Sequence, residues 1–410
     1  MVLSQDNFSV PVCPCGRAHK TTIRRIVIEA GCLTSLPDHL RELGYSGHVT
    51  AVYDSNTYDA KGMARPAADE EIILPAQGLH ADEHGVALLS NQLKKTDLLV
   101  AVGSGTIHDI VRYCAAQEGV VFVSAPTAAT VDGFASSVAA MTWGGMKTTL
   151  PAVAPVLILA DLNIISAAPA HLALAGVGDI VGKYICLADW EIAHLLTGEY
   201  YCEYIAGLTK QAADKASAGA AGLASGSQGA YRDLMYALIL SGVAMQLAGN
   251  SRPASGAEHH ISHLLEMKLV GNSAAMHGEK VGAATPLCAE VYHRLAQIED
   301  ISGRVRGYLP PDEEWLGGQF GALLPGILEE NKNDCLMAVT PDALITHWQR
   351  VRAILMTVPS PAHLTGLLRG LGAKASLEEI DVSPHLKEKL IVLSPWVRNR
   401  LTMLRILRML

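Results

Sequence analysis

The strongest constraint on the fold is an alternation of two kinds of segment through residues 21–162. Short runs rich in β-branched residues alternate with segments whose apolar residues recur at helical spacing, which is typical of a parallel sheet covered by helices on both faces. The predicted strands are 22–28, 48–53, 71–74, 97–102, 120–123 and 156–160, and the predicted helices are 35–43, 82–94 and 107–117. This pattern predicts a doubly wound α/β domain.

The pattern changes after Asp161. Ala, Leu, Met and His then recur at helical spacing, and strand signals nearly vanish through Leu410. A chain of 410 residues, half of them apolar, is long enough for two buried cores. We therefore predict an α/β domain at residues 1–165 and an all-α domain at 166–410.

Charge and cysteine content limit the partners and the compartment. The formal net charge is −8, which argues against a surface that coats nucleic acid and favours small metabolites. The eight cysteines are scattered through a chain that is too long to need disulfides, so we expect them to be reduced thiols. Residues 1–12 lack the basic start and apolar run of a secretory signal, and no apolar run approaches the roughly 18 residues of a spanning helix. We expect a soluble, cytoplasmic protein without a membrane span.

The C-terminal segment, residues 396–410, mixes four arginines with Leu and Met. We expect a docked terminal helix with a solvated basic face. A helix that lies on a membrane surface is the alternative.

Two features of the first domain suit a nucleotide. Gly103-Ser104-Gly105-Thr106 follows a predicted strand and opens a helix, where backbone N–H groups can bind a phosphate. The sequence lacks the last glycine of G-x-G-x-x-G, so a tight turn without a ligand stays open. Asp54 ends the second strand, where a carboxylate can accept ribose hydroxyls or simply cap a turn.

A second polar loop, residues 126–136, follows the strand at 120–123. It carries threonine hydroxyls and Asp132 at the carboxyl edge of the sheet, where ligands bind in open α/β folds. In the alternative, Asp132 or Ser136 only caps a helix.

One carboxylate and several histidines mark the helical half. Asp179 precedes Lys183 by one helical turn, and His259 and His263 are four residues apart, so each pair shares a helix face. His277 is a further histidine of this half. One carboxylate and two imidazoles suit a catalytic divalent ion that has three protein ligands and keeps one position open. The chain has 16 histidines, and any of these can instead be an ordinary structural residue.

Together these segments resemble the iron-type, or group III, alcohol dehydrogenase superfamily, and within it the bacterial sn-glycerol-1-phosphate dehydrogenases. The matching stretches are 103–113 (GSGTIHDIVRY), 124–136 (SAPTAATVDGFAS), 147–149 (KTT), 175–191 (AGVGDIVGKYICLADWE), 251–263 (SRPASGAEHHISH) and 277–282 (HGEKVG). The resemblance implies a Rossmann-like domain followed by an all-α domain, an architecture similar to that of dehydroquinate synthase.

The resemblance also implies site residues. The metal ligands would be Asp179, His259 and His277, with His260 the rival of His259. Asp132, Asp179 and His263 would contact the substrate, and Asp179 and His263 would act in catalysis. The dinucleotide would be lined by Asp54, Gly103, Gly105, Thr106, Ile107, His108, Asp109, Thr127, Ala128, Ala129, Thr130 and Ser136.

The implied reaction interconverts dihydroxyacetone phosphate and sn-glycerol 1-phosphate by hydride transfer. It would use NAD or NADP and one divalent metal per subunit (Zn, Ni or Fe), in a homo-oligomer. Asp54 favours NAD, because it would repel a 2′-phosphate. Candidates for the substrate phosphate are Lys147, Lys183 and Arg252, although their spacing does not select any of them.

Three other functions stay open at this point. They are a glycerol or polyol dehydrogenase of the same fold, a sugar-phosphate cyclase similar to 3-dehydroquinate synthase, and a dinucleotide-binding scaffold without turnover. The cyclase family uses a Glu-His-His site with several basic residues, whereas the carboxylate here is Asp179.

The N-terminal segment Cys13-Pro14-Cys15 with His19 lies outside these motifs. These residues could form part of a small metal site. C-x-C with one histidine and no fourth ligand is a weak pattern, so no role is assigned from sequence.

Overall fold

A seven-stranded sheet organises the first part of the computed structural model, which describes residues 1–410 except for the side chain of Ala220. The strands of the described backbone are β1 (Val2–Ser4), β2 (Arg25–Glu29), β3 (Val49–Asp54), β4 (Glu70–Leu74), β5 (Leu98–Gly103), β6 (Val121–Pro126), β7 (Val138–Trp143), β8 (Met146–Pro151) and β9 (Leu157–Asp161). The sheet order is β1-β2-β9-β6-β5-β3-β4, and all pairs except β1 with β2 are parallel.

All six predicted strands are present, and the predicted doubly wound fold is confirmed. Sequence reasoning missed β1, which has only three residues, and the antiparallel hairpin of β7 and β8. The hairpin turn contains Gly144 and Gly145, both with positive φ. A Gly-Gly pair between two short runs is a hairpin signal and could have revealed this turn.

Helices make up nearly all of the regular structure after Asp161, and no described residue beyond it lies in a strand, as predicted. The helices are α1 (Leu36–Glu42), α2 (Ser55–Tyr58), α3 (Glu83–Ser90), α4 (Gly105–Glu118), α5 (Leu162–Ala167), α6 (Ala170–Val181), α7 (Lys183–Thr197), α8 (Glu203–Gly219), α9 (Gln228–Ala248), α10 (Ala257–Glu266), α11 (His277–Ala296), α12 (Glu313–Phe320), α13 (Leu324–Glu330), α14 (Pro341–Leu355), α15 (Pro361–Gly370), α16 (Lys387–Leu393) and α17 (Met403–Ile406).

Strand β5 shows why the sheet is buried on both faces. Leu98, Val100 and Val102 belong to one apolar cluster, whereas Leu99 and Ala101 belong to a second cluster. Because successive side chains of a strand point to opposite faces, the two clusters cover the two sides of the sheet. This explains the nearly continuous apolar sequence of the strand.

The chain divides into two compact units, and this division differs from the predicted one at residue 165. The first unit is Met1–Gly176 with Asp214–Asn250, and the second is Val177–Ala213 with Ser251–Leu410. Helix α9 therefore belongs with the sheet. A β-carbon on its Gly242 would lie 2.7 Å from the carbonyl oxygen of Asp132, so glycine permits this close packing. Such a contact between distant residues has no local sequence signal.

A close contact between two helices organises the second unit. A β-carbon on Gly178 of α6 would lie 2.2 Å from the carbonyl oxygen of Gly278 of α11, so the two backbones touch. Asp179 and His277 are the direct neighbours of these glycines. The contact therefore brings a carboxylate and an imidazole from distant parts of the chain together.

The C-terminal segment differs from the expected helix with a solvated basic face. The segment forms the short helix α17 and 3₁₀ turns on either side of it, and Arg405 within α17 is fully buried. Its guanidinium donates to Asp334 and Asn331, each at 2.6 Å. The expectation of a solvated face is wrong at Arg405, because an acidic partner 71 residues away pairs with it inside the unit.

One helical stretch, Ala170–Thr197, is long and apolar enough to cross a membrane by length and composition alone. Within its most apolar window, 67% of the residues are buried in the fold. The stretch also carries Asp179, Lys183 and Asp189, all buried. These features are typical of a core helix.

Candidate active site

The first unit contains a cavity of about 600 Å³ at the carboxyl ends of its parallel strands. Asp54 ends β3, Thr106 lies in the first turn of α4 after β5, and Thr127 follows β6, and all three line the cavity. This edge of an open α/β sheet is where ligands bind in such folds.

The glycine loop between β5 and α4 is tightly packed. A β-carbon on Gly103 would lie 2.8 Å from Cβ of Ile107, and one on Gly105 would lie 3.1 Å from a methyl group of Val131. Since the first amides of an α-helix have no partner within the helix, the start of α4 can bind an anion. Glycine at both positions permits the close packing of this loop against Ile107 and Val131.

Asp54 caps a helix and also lines the cavity. Its carboxylate accepts hydrogen bonds from the backbone N–H and the hydroxyl of Thr57, both at 2.9 Å, and thereby caps α2. An ionised carboxylate has about four acceptor positions, so two remain for ribose hydroxyls in the cavity.

Five of the predicted dinucleotide residues line the cavity: Asp54, Thr106, Ile107, Thr127 and Ala128. The structure does not place the others in its lining, namely Gly103, Gly105, His108, Asp109, Ala129, Thr130 and Ser136.

Internal hydrogen bonds explain two of these differences. The buried ring of His108 bonds to the carbonyl oxygen of Ser104 and the hydroxyl of Ser124, both at 2.9 Å. Burial lowers the pKa of His108 to about 3, so the ring is neutral. The hydroxyl of Ser136 donates to the carbonyl oxygen of Val138 and accepts from its N–H, both at 3.1 Å.

Six polar residues of the lining are absent from the predicted cofactor residues, namely Asn56, Thr57, Lys61, Ser104, Asn163 and His171. Asn163 comes two residues after β9, so its place at the carboxyl end of a strand was a usable signal. Lys61 follows the short helix α2 in an irregular segment, where no sequence pattern indicates which side chains face a ligand.

Asp179, His259 and His277 come together in the second unit. One potential ligand atom from each lies within 4.8 Å of the others. Nε2 of His259 is 3.3 Å from Oδ1 of Asp179, and the centroids of the two imidazole rings are 5.3 Å apart. Asp179 and His259 are buried and His277 is half-buried.

Two glutamates orient the two imidazoles. Nδ1 of His259 is 2.6 Å from Oε1 of Glu258, and Nδ1 of His277 is 2.6 Å from Oε1 of Glu266. If Nδ1 carries the donated proton, Nε2 is left as the ligand atom. A carboxylate behind each imidazole is typical of histidines that bind metals. Sequence reasoning missed both glutamates.

Asp179 is held in its ionised form by its neighbours. Nζ of the buried Lys183 donates to Oδ1 of Asp179 and to the carbonyl oxygen of Ala254, both at 2.9 Å. Burial alone would raise the pKa of Asp179, but Lys183, His259 and His277 outweigh it and lower this pKa below its usual range.

The structure brings His259, rather than its rival His260, to Asp179. The His260 ring is also buried, and neither of its nitrogens has a hydrogen-bond partner among the described residues. Burial, reinforced by Arg400, lowers the pKa of His260 well below its ordinary value.

His263 lies beside the three candidate ligands. Its ring centroid is 6.1 Å from that of His259 and 5.9 Å from that of His277. Burial lowers the pKa of His263 well below its ordinary value even though Glu266 opposes this shift. The ring is therefore neutral near pH 7, and its Nδ1 has no hydrogen-bond partner among the described residues.

Two of the three candidates for binding the substrate phosphate, Lys183 and Arg252, are paired with carboxylates inside the second unit. Lys183 bonds to Asp179, as described above. Arg252 is 2% exposed, and its guanidinium donates to both carboxylate oxygens of Glu199 at 2.7 and 2.9 Å. Lys147 lies in the hairpin of the first unit, where it donates to the carbonyl oxygen of Ala140 at 3.4 Å.

Asp189 anchors the start of α10, the helix that carries His259. Its carboxylate accepts from the N–H of Ala257 at 2.9 Å, from the hydroxyl of Tyr292 at 2.5 Å and from the N–H of Met403 at 2.7 Å. Burial raises the pKa of Asp189 from 3.8 to about 7 despite these donors. Asp189 lies in the matching stretch 175–191, but sequence reasoning assigned it no role.

Asp189 should make the stability of the protein depend on pH. Between about pH 4 and 7 the folded chain holds a proton on Asp189 that the unfolded chain has lost, so the free energy of unfolding should fall as pH rises. The slope for one proton approaches about 1.4 kcal/mol per pH unit.

Urea unfolding of wild type and Asp189→Asn at several pH values tests this assignment. The free energy of unfolding of wild type, minus that of Asp189→Asn, should fall as pH rises across this window. Asp300→Asn, at an exposed carboxylate, is the control and should show no such trend above pH 5. A constant difference between wild type and Asp189→Asn would contradict the assignment.

Comparisons with known proteins agree with this architecture. Residues 27–169 match a family model described as iron-containing alcohol dehydrogenase. The glycerol-1-phosphate dehydrogenase (NAD(P)+) of Halalkalibacterium halodurans is 33% identical, over 98% of this chain and 97% of that protein. The enzyme of the same name from Pyrococcus furiosus is 34% identical, over 66% of this chain and 78% of that protein.

Solved structures show the same fold. The crystal structure of the NADH-dependent butanol dehydrogenase A of Thermotoga maritima superposes with a TM-score of 0.59 at 14% identity, and the match covers 93% of this chain and 90% of that chain. At this identity the likeness shows the fold alone.

Proposed function

Because the chain belongs to the iron-containing alcohol dehydrogenase family and to its glycerol-1-phosphate dehydrogenase branch, we propose that it interconverts dihydroxyacetone phosphate and sn-glycerol 1-phosphate. The cofactors are NAD(P) and one divalent metal ion per subunit. Its substrate is thus a small phosphorylated molecule.

The observation that carries this proposal is the convergence of Asp179, His259 and His277 in a buried site. Two imidazole nitrogens and a carboxylate oxygen fit Zn, Ni or Fe, and this donor set alone does not select among these ions. The glutamates behind His259 and His277 hold each ring with Nε2 available, as a metal ligand requires.

A divalent ion bound by these residues would polarise the carbon–oxygen bond of the substrate, and a bound nicotinamide would exchange hydride with that carbon. Lys183 keeps Asp179 ionised as a ligand. His263 is neutral near pH 7, and we assign it the exchange of the substrate's hydroxyl proton. A role in orienting the substrate without proton transfer is the alternative.

In the first unit, the amides at the start of α4 bind the pyrophosphate and Asp54 accepts the ribose hydroxyls. Asp54 favours NAD over NADP, whereas Lys61 in the same cavity contributes the opposite charge. Asp132 accepts a substrate hydroxyl, and its carboxylate is held by the hydroxyl of Ser241 at 2.8 Å.

We also propose that the enzyme works as a homo-oligomer in the cytoplasm. The eight cysteines are scattered along the sequence, which suits a reducing compartment.

The activity is tested by following NADH oxidation with the zinc- or nickel-loaded enzyme. Dihydroxyacetone phosphate should be reduced with a kcat/KM at least about tenfold above that for dihydroxyacetone, since charge-assisted hydrogen bonds to the phosphate contribute about 1.5–3 kcal/mol. The product should not be oxidised by an sn-glycerol-3-phosphate-specific dehydrogenase. Equal or faster reduction of dihydroxyacetone would indicate a polyol dehydrogenase, and no net NADH consumption would disprove the proposed reaction.

His259→Ala and His260→Ala form a matched pair for the metal site. Loss of a ligand should weaken binding by more than the roughly 10–100-fold effect of losing an outer partner. Metal analysis after dialysis should therefore find one equivalent less in His259→Ala than in wild type. His260→Ala should keep the wild-type content, with circular dichroism confirming that both variants are folded. The opposite result would make His260 the ligand.

Asp54→Ala and Asp82→Ala separate cofactor binding from helix capping. Asp82 caps α3 by accepting from the N–H of Gly85 at 2.8 Å and does not line the cavity. Each variant should lose about 1 kcal/mol of stability through its cap. Only Asp54→Ala should also raise the KM for NADH, by about tenfold or more, as expected for a lost charged hydrogen bond. An equal KM in the two variants would remove Asp54 from the cofactor site.

A further inference from the structure

The N-terminal loop at residues 10–19 is closed by its own backbone. Val10 and His19 form an antiparallel bridge with N–H···O distances of 2.9 and 2.8 Å. Inside the loop, the N–H of Gly16 donates to the carbonyl oxygen of Cys13 at 2.9 Å, and Gly16 has a φ of +81°. This geometry turns the chain sharply between its two cysteines and its histidine.

The closed loop buries the side chains that can bind a metal and exposes the others. Cys13 and His19 are 5% and 1% exposed, and Cys15 is half-buried. Val12, an apolar residue next to Cys13, is 86% exposed. The remaining residues between the two ends of the bridge are exposed as well, namely Pro11, Pro14, Gly16, Arg17 and Ala18. Hydrophobic burial therefore does not explain the conformation of this loop.

The buried groups converge on one point. Ligand atoms of Cys13, Cys15 and His19 all lie within 4.8 Å of one another, and Sγ of Cys15 is 3.2 Å from Nε2 of His19. Around a tetrahedral zinc ion, bond lengths of about 2.3 Å to sulfur and 2.0–2.1 Å to nitrogen place such atoms roughly 3.5–3.8 Å apart. The three groups thus lie close to the spacing that one ion requires.

The His19 ring is oriented as a metal ligand. Its Nδ1 is 3.2 Å from the carbonyl oxygen of Leu247, which can only accept a hydrogen bond. The proton is therefore on Nδ1, and Nε2, which is left with its lone pair, faces Sγ of Cys15. A backbone carbonyl that fixes the tautomer in this way is a frequent outer partner of metal-binding histidines.

We propose that Cys13, Cys15 and His19 bind a structural zinc ion, separate from the ion at Asp179, His259 and His277. Two thiolates and an imidazole are soft ligands that select zinc, whereas the second site offers a carboxylate and two imidazoles. Zinc binding releases the two thiol protons and holds the loop closed. A tetrahedral ion has one further position, taken by water or another donor.

Metal analysis of matched variants tests this site. Zinc-loaded wild type, treated with EDTA to remove loosely held ions and kept reduced, should contain two zinc ions per chain. Cys13→Ser/Cys15→Ser should contain one, and Cys335→Ser, at another half-buried thiol, should contain two. If the double variant keeps the wild-type zinc content, the proposal is wrong.

His259→Ala keeps this test independent of the proposed function. Failure of the Asp179 site would leave the zinc content of His259→Ala unchanged, whereas failure of the loop site would leave that of the double cysteine variant unchanged. The two outcomes are therefore distinguishable.

Cobalt and a mercurial reagent give readouts on wild type, which do not depend on the folding of a variant. Cobalt in the loop site should show a thiolate-to-metal charge-transfer band in the near ultraviolet, whereas a site with only nitrogen and oxygen ligands lacks it. Titration of the zinc protein with p-hydroxymercuribenzoate should release one zinc ion as its thiols react. Absence of the band and of the released zinc would overturn the proposal.

Discussion

The contact of two helix backbones at Gly178 and Gly278 is the constraint on which the candidate metal site depends. A β-carbon at Gly178 would lie 2.2 Å from the opposite carbonyl oxygen, so a larger residue there would push α6 and α11 apart. Asp179 follows Gly178, and His277 precedes Gly278. The contact between the two glycines therefore also sets the separation of Asp179 and His277. The glycines are therefore part of the site although they supply no ligand.

The site also requires that buried charge be compensated. Asp179 is fully buried, and its ionised form is maintained by the ammonium group of Lys183, which is equally buried. Glu258 likewise bonds to His259. Burying such groups is costly unless they are paired, so these pairs favour the one geometry in which they form. Asp189 extends the network by holding the first turn of α10. These residues position the ligands and explain why the cluster can persist in a protein core.

The cavity of the first unit is built more simply. Its polar groups include Asp54, the last residue of β3, and Thr127, which directly follows β6. The carboxylate of Asp54 can cap a helix and still accept further hydrogen bonds in the cavity, because it has more acceptor positions than the cap uses. Structural and binding roles, which were rival interpretations of this residue, are compatible.

The sequence by itself was sufficient for the six parallel strands, the helical character of the second half, the glycine loop and the choice of Asp179, His259 and His277 as candidate ligands. Periodicity, turn residues and motifs are local, so a single chain displays them. Only the tertiary structure placed α9 with the sheet and paired His277 with Glu266. It alone buried Arg405 against an acidic residue 71 positions away, and placed the ring of His19 against the carbonyl oxygen of Leu247. These contacts depend on how distant segments pack, and no local pattern in the chain encodes which distant group a side chain will meet.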